Sequence, residues 1–179
     1  TIIEQGSNHL LQLVDNVLEL SSLDSGTPIL TDIKVEINAL CRQWMEKAKN
    51  SLKSGVELVY QPGQDELHLY TNPERLTQVV SHLLHNSARF TEKGSITLSW
   101  HINPKQRALV ISVTDTGIGI PQDKQDFVFE RFAKIDTFST GTGLGLALGR
   151  LIMEKMNGSL VLDDKYTEGC SFVLTLPIK

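Results

Sequence analysis

Cysteine is scarce in this chain of 179 residues: Cys41 and Cys170 are the only two. They lie too far apart for a metal or redox motif, so neither a disulfide scaffold nor a thiolate zinc site is expected. Two free, buried thiols in a reducing compartment are expected instead. Basic residues form no cluster; 17 Lys and Arg stand against 21 Asp and Glu, a net charge of −4, which argues against a nucleic-acid-binding face. No apolar run of about 18 residues is present, so no membrane-spanning helix is expected, and no charged-then-apolar leader opens the chain. The first residue is Thr rather than Met, and the expectation is a piece of a longer protein. No Gly-Lys-Ser/Thr follows any glycine cluster, which excludes a P-loop, and no strand–turn–helix repeat accompanies them, which excludes a dinucleotide fold. The remainder is ordinary, 40% hydrophobic and 21% charged, enough for one domain with a full core.

Residues 1–24 read as an amphipathic helix. Leu10, Leu11, Val14, Val17 and Leu18 recur at three- and four-residue steps, and Leu13 and Leu20 widen the stripe. Ser25-Gly26-Thr27-Pro28 ends it. The texture then changes, so a domain boundary is placed there, with residues 1–26 before it and 27–179 after. A lone apolar stripe needs a partner: either the helix folds back on the following domain, or it belongs to a helical bundle whose other half lies elsewhere. Further on, Ile29 to Val35 is expected to form a strand. Asn38 is expected to cap a helix running to about Leu52. Val56, Leu58 and Tyr60 alternate as a strand, Pro62-Gly63 turns, and Leu67 and Leu69 mark a short strand. Pro73 opens a helix to about Arg89, buried on Leu76, Val79, Val80, Leu83 and Leu84. Ile96, Leu98, Trp100 and Ile102 lie on one strand face, and Ala108 to Thr114 should pair with that strand across Asn103-Pro104-Lys105-Gln106. Residues 116–142 lack periodicity. A helix from about Leu144 to Met156 and strands at 159–163 and 171–177 complete a two-layer α+β sandwich with helices on one sheet face.

Two glycine clusters and one helix carry the chemistry. Asp115-Thr116-Gly117-Ile118-Gly119-Ile120-Pro121 leaves a buried strand. It is either a plain turn or a place where a flat ligand approaches the backbone while the carboxylate accepts hydrogen bonds from an exocyclic amine. Gly141-Thr142-Gly143-Leu144-Gly145-Leu146 opens a helix, where unpaired N–H groups and the helix dipole favour an anion. On the helix 73–89, Arg75, Gln78, His82, Asn86 and Arg89 fall in one stripe beside the buried face. Such a stripe is either solvated surface or an amide between arginines suited to magnesium with a triphosphate.

The order of these signals is more telling than any one of them. RLTQVVSHLLHNSARFT, DTGIGIP, FVFERFAK and GTGLGLAL follow one another as the N, G1, F and G2 boxes do, so residues 28–179 resemble the ATP-binding domain of sensor histidine kinases, within the GHKL ATPase superfamily. GSLVLDDKYTEGCSFVLTLP is similar to that domain's closing hairpin, and LLQLVDNVLELSSLDSG to the second helix of its dimerisation-and-phosphotransfer bundle. The resemblance implies a GHKL fold, a mixed and mostly antiparallel sheet with helices on one face, preceded by one bundle helix. It implies ATP and Mg2+ as ligands, with Asn86 on the metal, Arg89 on the phosphates and Asp115 on the adenine amine. Gly117, Gly119 and Ile120 would shape the base wall, Phe129 and Phe132 match the F box, and Gly141, Thr142, Gly143, Leu144 and Gly145 lie on the phosphate side. Residues 122–142 would be a lid, anchored by Phe127, Phe129, Phe132 and Phe138 and including Lys134, expected to be mobile without nucleotide.

The departures are informative too. His82 stands where the family commonly has Asn, and where hydrolytic relatives place a water-activating Glu, so slow intrinsic hydrolysis is expected. Asn72 replaces an acidic residue ahead of Arg75. The phospho-acceptor motif is absent: His9, His68, His85 and His101 do not sit in one. The implied role is therefore to present the γ-phosphate to a histidine outside this chain. Implied partners are the bundle helices of a homodimeric parent and a response-regulator receiver domain, not nucleic acid. A cytoplasmic domain follows from the need for ATP, and an inner-membrane parent from the family. Two other readings stay open: a signalling module with a degenerate pocket, and a protein-serine kinase of the anti-sigma type.

Overall fold

The computed structural model describes residues 1–26, 32–135 and 141–179. In chain order the elements are α1 (Ile2–Asp24), β1 (Ile33–Glu36), α2 (Ile37–Lys49), β2 (Val56–Gln61), β3 (His68–Thr71), α3 (Pro73–Phe90), β4 (Gly94–Asn103), β5 (Ala108–Asp115), a single 3-10 turn (Gln122–Lys124), α4 (Gly145–Lys155), β6 (Ser159–Leu162) and β7 (Ser171–Pro177).

Strand alternation decides the layering. Ile96, Leu98 and Trp100 of β4, Leu109, Ile111 and Val113 of β5, and Phe172, Leu174 and Leu176 of β7 are all buried. The antiparallel register sets Leu98 opposite Val113 and Ile111 opposite Leu174, so these residues form rows across one sheet face. Trp44 of α2, Leu76, Val80 and Leu83 of α3, and Leu148 and Ile152 of α4 join the same core. The architecture is the expected α+β sandwich with helices on one face. The five-stranded sheet runs β2-β4-β5-β7-β6, with β2 parallel to β4 and every other pair antiparallel. Local patterns did not foretell the separate two-stranded ribbon in which β1 pairs antiparallel with β3.

The start of α2 corrects an expectation. Glu36, not Asn38, is the cap: its carboxylate accepts the Asn38 N–H at 2.8 Å and the Ala39 N–H at 2.7 Å. Two oxygens satisfy two of the orphan donors at the helix end, which one amide oxygen could not do as well. Asn38 is instead 2% exposed. It donates to the carbonyls of Gln64 and Asp65 at 3.1 and 2.8 Å, and its Oδ1 accepts from Trp100 Nε1 at 3.0 Å and from the Tyr60 hydroxyl. The helix also stops at Lys49, short of Leu52. The strand expected over 29–35 is observed at Ile33–Glu36, residues 29–31 lying outside the described residues, as do Thr27 and Pro28.

Helix α1 divides along its length between the two readings of its stripe. Leu20 and Leu23 are buried in the core and pack by α4, whereas Leu10, Leu11, Val14, Val17 and Leu18 remain 43–63% exposed. Polar ties reinforce the docked end: Glu19 receives Arg75 and, at 2.8 Å, Gln78 Nε2; Asn16 donates to Thr142 Oγ1 at 3.2 Å; and Asp24 pairs with Arg131. Among the described residues no helix is long and apolar enough to cross a membrane.

Candidate functional site

The parity that buries Leu109, Ile111 and Val113 carries on to Asp115, the last residue of β5. Its side chain therefore points toward the helix layer, 3% exposed. There it meets Ser87, which continues the buried stripe Leu76, Val80, Leu83 of α3 with a hydroxyl. Ser87 Oγ donates to Asp115 Oδ2 at 2.8 Å, and the N–H groups of Gly117 and Cys170 donate to Oδ1 at 2.9 and 3.1 Å. An ionised carboxylate offers about four acceptor positions. Three are filled by the protein, which leaves capacity for a donor entering from the cleft. The backbone is drawn in tightly around this group: a Cβ on Gly169 would lie 2.0 Å from the Asp115 carbonyl oxygen, and one on Gly117 would lie 2.5 Å from that of Phe90. Tyr166 donates its hydroxyl to the same Asp115 carbonyl at 2.9 Å.

Across the cleft, α3 presents His82, Asn86 and Arg89 to the start of α4. Asn86 Nδ2 lies 3.3 Å from His82 Nε2. The His82 imidazole fills the space that a Cβ on Gly145 would need, which would fall 1.9 Å from its Cε1. Burial above all, then the charges of His85 and Arg89, push the His82 pKa down to about 4. Burial also lowers that of the Arg89 guanidinium, which lies 4.6 Å over the Phe90 ring and would be 2.7 Å from a Cβ on Gly141. Helix α4 begins with no side-chain cap hydrogen bond. Its first amides and their dipole therefore suit an anion beside Arg89.

One cleft gathers most of the residues singled out from the sequence. Asn86, Arg89, Asp115, Gly119, Ile120, Gly141, Thr142, Gly143 and Gly145 line it, with His82 and Lys134. Gly117, Leu144, Phe129 and Phe132 do not. Gly117 backs the Asp115 carboxylate, and Leu144 is fully buried in the core. Phe129 packs edge-on against Phe172 at 6.1 Å, with the Arg150 guanidinium 4.0 Å over its ring. Phe132 is 59% exposed, and its backbone passes behind Gly143. Phe127 does line the cleft, and Phe138 lies outside the described residues. Arg75 and Gln78 turn to Glu19 of α1 instead. The sequence reasoning missed Ser87, Ile118, Cys170 and Phe172, which also line the cleft. Ser87 had a signal, a polar residue interrupting an apolar helical stripe; Cys170 had none, because it arrives from the far hairpin. The cleft thus combines a buried acceptor with cationic Arg89 beside a helix N-terminus, and Lys134 is also part of its lining. A ligand with a base-like donor and an anionic tail suits that combination.

Residues 71–179 match the family described as histidine kinase-, DNA gyrase B- and HSP90-like ATPase. The sensor histidine kinase WalK of Bacillus subtilis is 27% identical over 183 residues, covering 99% of this chain and 30% of WalK. The sensor histidine kinase RppB of Synechocystis is 31% identical over 187 residues, covering 98% of this chain and 40% of RppB. The chain therefore spans 30 to 40% of the length of these relatives. Full-length ShkA, solved in complex with AMPPNP, superposes with a TM-score of 0.86 at 27% identity over 99% of this chain and 38% of ShkA. The histidine kinase AdeS of Acinetobacter baumannii shares the fold, with a TM-score of 0.79 at 20% identity over 97% of this chain and 80% of AdeS.

Proposed function

This chain belongs to the family of histidine kinase-, DNA gyrase B- and HSP90-like ATPases, and from that premise we propose that it is the ATP-binding catalytic part of a sensor histidine kinase. It presents the γ-phosphate of Mg-ATP to an acceptor histidine outside these 179 residues. One observation carries the reading: Asp115 from the sheet, Asn86 and Arg89 from α3, and the start of α4 all line a single cleft. In this reading residues 27–179 form the catalytic domain and residues 1–26 belong to the phosphotransfer bundle. The exposed leucines and valines of α1 then meet bundle helices in a homodimeric parent, which hands its phosphoryl group to a receiver domain. The need for ATP places the domain in the cytoplasm.

Each residue has a distinct task. Asp115 accepts the adenine amine and, being buried and acceptor-only, rejects bases that present a carbonyl there. Arg89 and the α4 amides hold the triphosphate, and the close approach of Gly141 to the Arg89 guanidinium keeps that charge at the phosphate end. Magnesium fits the residues present: Asn86 offers one hard oxygen, and phosphates and water are the usual remaining ligands. When bound, it would neutralise the phosphate charge that builds during transfer. The residues of this chain supply positioning and electrostatics. The acceptor imidazole supplies the nucleophile, so a P–N bond forms as the bond to ADP breaks.

Titration calorimetry of the purified chain with Mg-ATP tests binding directly, and saturable heat is expected. Incubation with γ-labelled ATP should leave the chain itself unlabelled, while a separately supplied bundle with an acceptor histidine gains acid-labile label. No heat, or stable label on this chain, refutes the assignment.

A further inference from the structure

The carboxamide of Asn86 has two nearly isosteric ends of opposite character. Only its oxygen can ligate a hard cation, while the NH2 group would point two donors at it. A side chain free to rotate by half a turn would present the wrong end part of the time. Here the Nδ2 end lies 3.3 Å from His82 Nε2, one turn earlier on α3. Asn86 Oδ1 has no hydrogen-bond partner among the described residues, and Asn86 lines the cleft. The imidazole itself packs against the start of α4. It occupies the space beside Gly145 where any larger residue would collide with it, a Cβ falling 1.9 Å from Cε1 and 2.0 Å from Nε2. Glycine at the first position of α4 thus seats the ring, and the ring faces the amide.

We infer that His82 is a positioning residue: its unprotonated Nε2 accepts the Asn86 NH2 and so turns the amide oxygen toward the cleft for a divalent cation. The inference rests on the nucleotide reading above and deepens it. The residue that departs from the commoner asparagine at this place takes on an orienting task through a ring nitrogen. For Nε2 to accept, the ring must be the neutral tautomer carrying its proton on Nδ1. Partners that orient a metal ligand commonly change metal affinity by about 10- to 100-fold when removed.

The test compares the dissociation constant for ATP in EDTA with that in Mg2+, for the unaltered chain and for two variants. His82→Phe keeps a ring beside Gly145 but has no acceptor, and the ratio of the two constants should fall about tenfold. His82→Gln restores a carbonyl acceptor and should recover most of the ratio. An unchanged ratio in His82→Phe overturns the inference, as does a loss that His82→Gln fails to repair. A measurement on the unaltered chain stands apart from any folding defect. Long-range 15N–1H correlation of the His82 ring should show Nδ1 protonated and Nε2 bare, and the reverse tautomer overturns the inference. Failure of the unaltered chain to bind ATP in either buffer would instead refute the nucleotide reading, and this inference with it.

Discussion

Replacing Asp115 with Asn separates recognition from folding, because the three protein donors on this carboxylate constrain how the amide must sit. Oδ1 takes the Gly117 and Cys170 N–H groups, so the amide oxygen has to stay there. The new NH2 then falls in the place of Oδ2, opposite Ser87 Oγ at 2.8 Å. A hydroxyl can turn from donor to acceptor, so the network survives with one bond remade, at a cost of about 1 kcal/mol. The face offered to the cleft changes from acceptor to donor and opposes the adenine amine. Loss of a hydrogen bond to a charged group is worth about 1.5–3 kcal/mol, or roughly a 10- to 100-fold weaker ATP affinity. Asp115→Ala should behave differently. It strands two backbone N–H groups inside the protein and should cost stability by about 2–6 kcal/mol. Thermal melts with titration calorimetry separate the two effects, and inosine triphosphate supplies the control. Its ring carbonyl should be poorly bound by the unaltered chain and relatively favoured by Asp115→Asn. A well-folded Asp115→Asn that binds ATP unchanged, with the same preference over inosine triphosphate, would refute the reasoning.

Three further outcomes are expected. Glu36→Ala removes the α2 cap and should cost about 1 kcal/mol at neutral pH by urea denaturation. Desolvation alone would raise the Glu36 carboxyl, but N–H bonds from Asn38, Ala39 and Leu67 with the charge of Arg42 bring it below its usual 4.5. The stabilisation is therefore present above that value and lost as pH falls through the lower folded-state pKa. The two proteins should converge in acid, and a gap that widens there contradicts the cap. Gly169→Ala pushes a methyl to within 2.0 Å of the Asp115 carbonyl oxygen. It should cost about 3 kcal/mol and weaken ATP binding as Asp115 shifts; an unchanged melting temperature contradicts it. Asn38→Ala leaves the Gln64 and Asp65 carbonyls without their donor and should cost about 3 kcal/mol, whereas Tyr60→Phe should cost about 1 kcal/mol. Equal losses in the two would contradict the central place of Asn38.

Much of the architecture was legible because its signals are local. Helix α3, from Pro73 to its apolar stripe, and the hairpin of β4 and β5 depend on periodicities within a few residues, and they stand where the pattern puts them. With β5 in place, its alternation aims Asp115 toward the helix layer, a consequence the sequence reading did not draw. The capping of α2 was misread because Asn38 is a good cap in isolation. A tertiary network of Tyr60, Trp100 and two carbonyls claims its amide, and Glu36 takes the vacated role. The apolar stripe of α1 announced a need for burial without saying where. Only packing against the following domain selects Leu20 and Leu23, covers part of Leu13, and leaves Leu10, Leu11, Val14, Val17 and Leu18 exposed.

By itself, then, the order of residues determined which segments coil, which extend, and which side chains carry acceptor, amide and cation, since these follow from side-chain chemistry and short-range spacing. Folding decided the rest: that β7 lies between β5 and β6, bringing the Cys170 N–H to Asp115, that α3 sets Ser87 against the same carboxylate, and that Gly145 makes room for His82. Such meetings join positions far apart along the chain. They depend on how whole elements pack, which no local periodicity encodes.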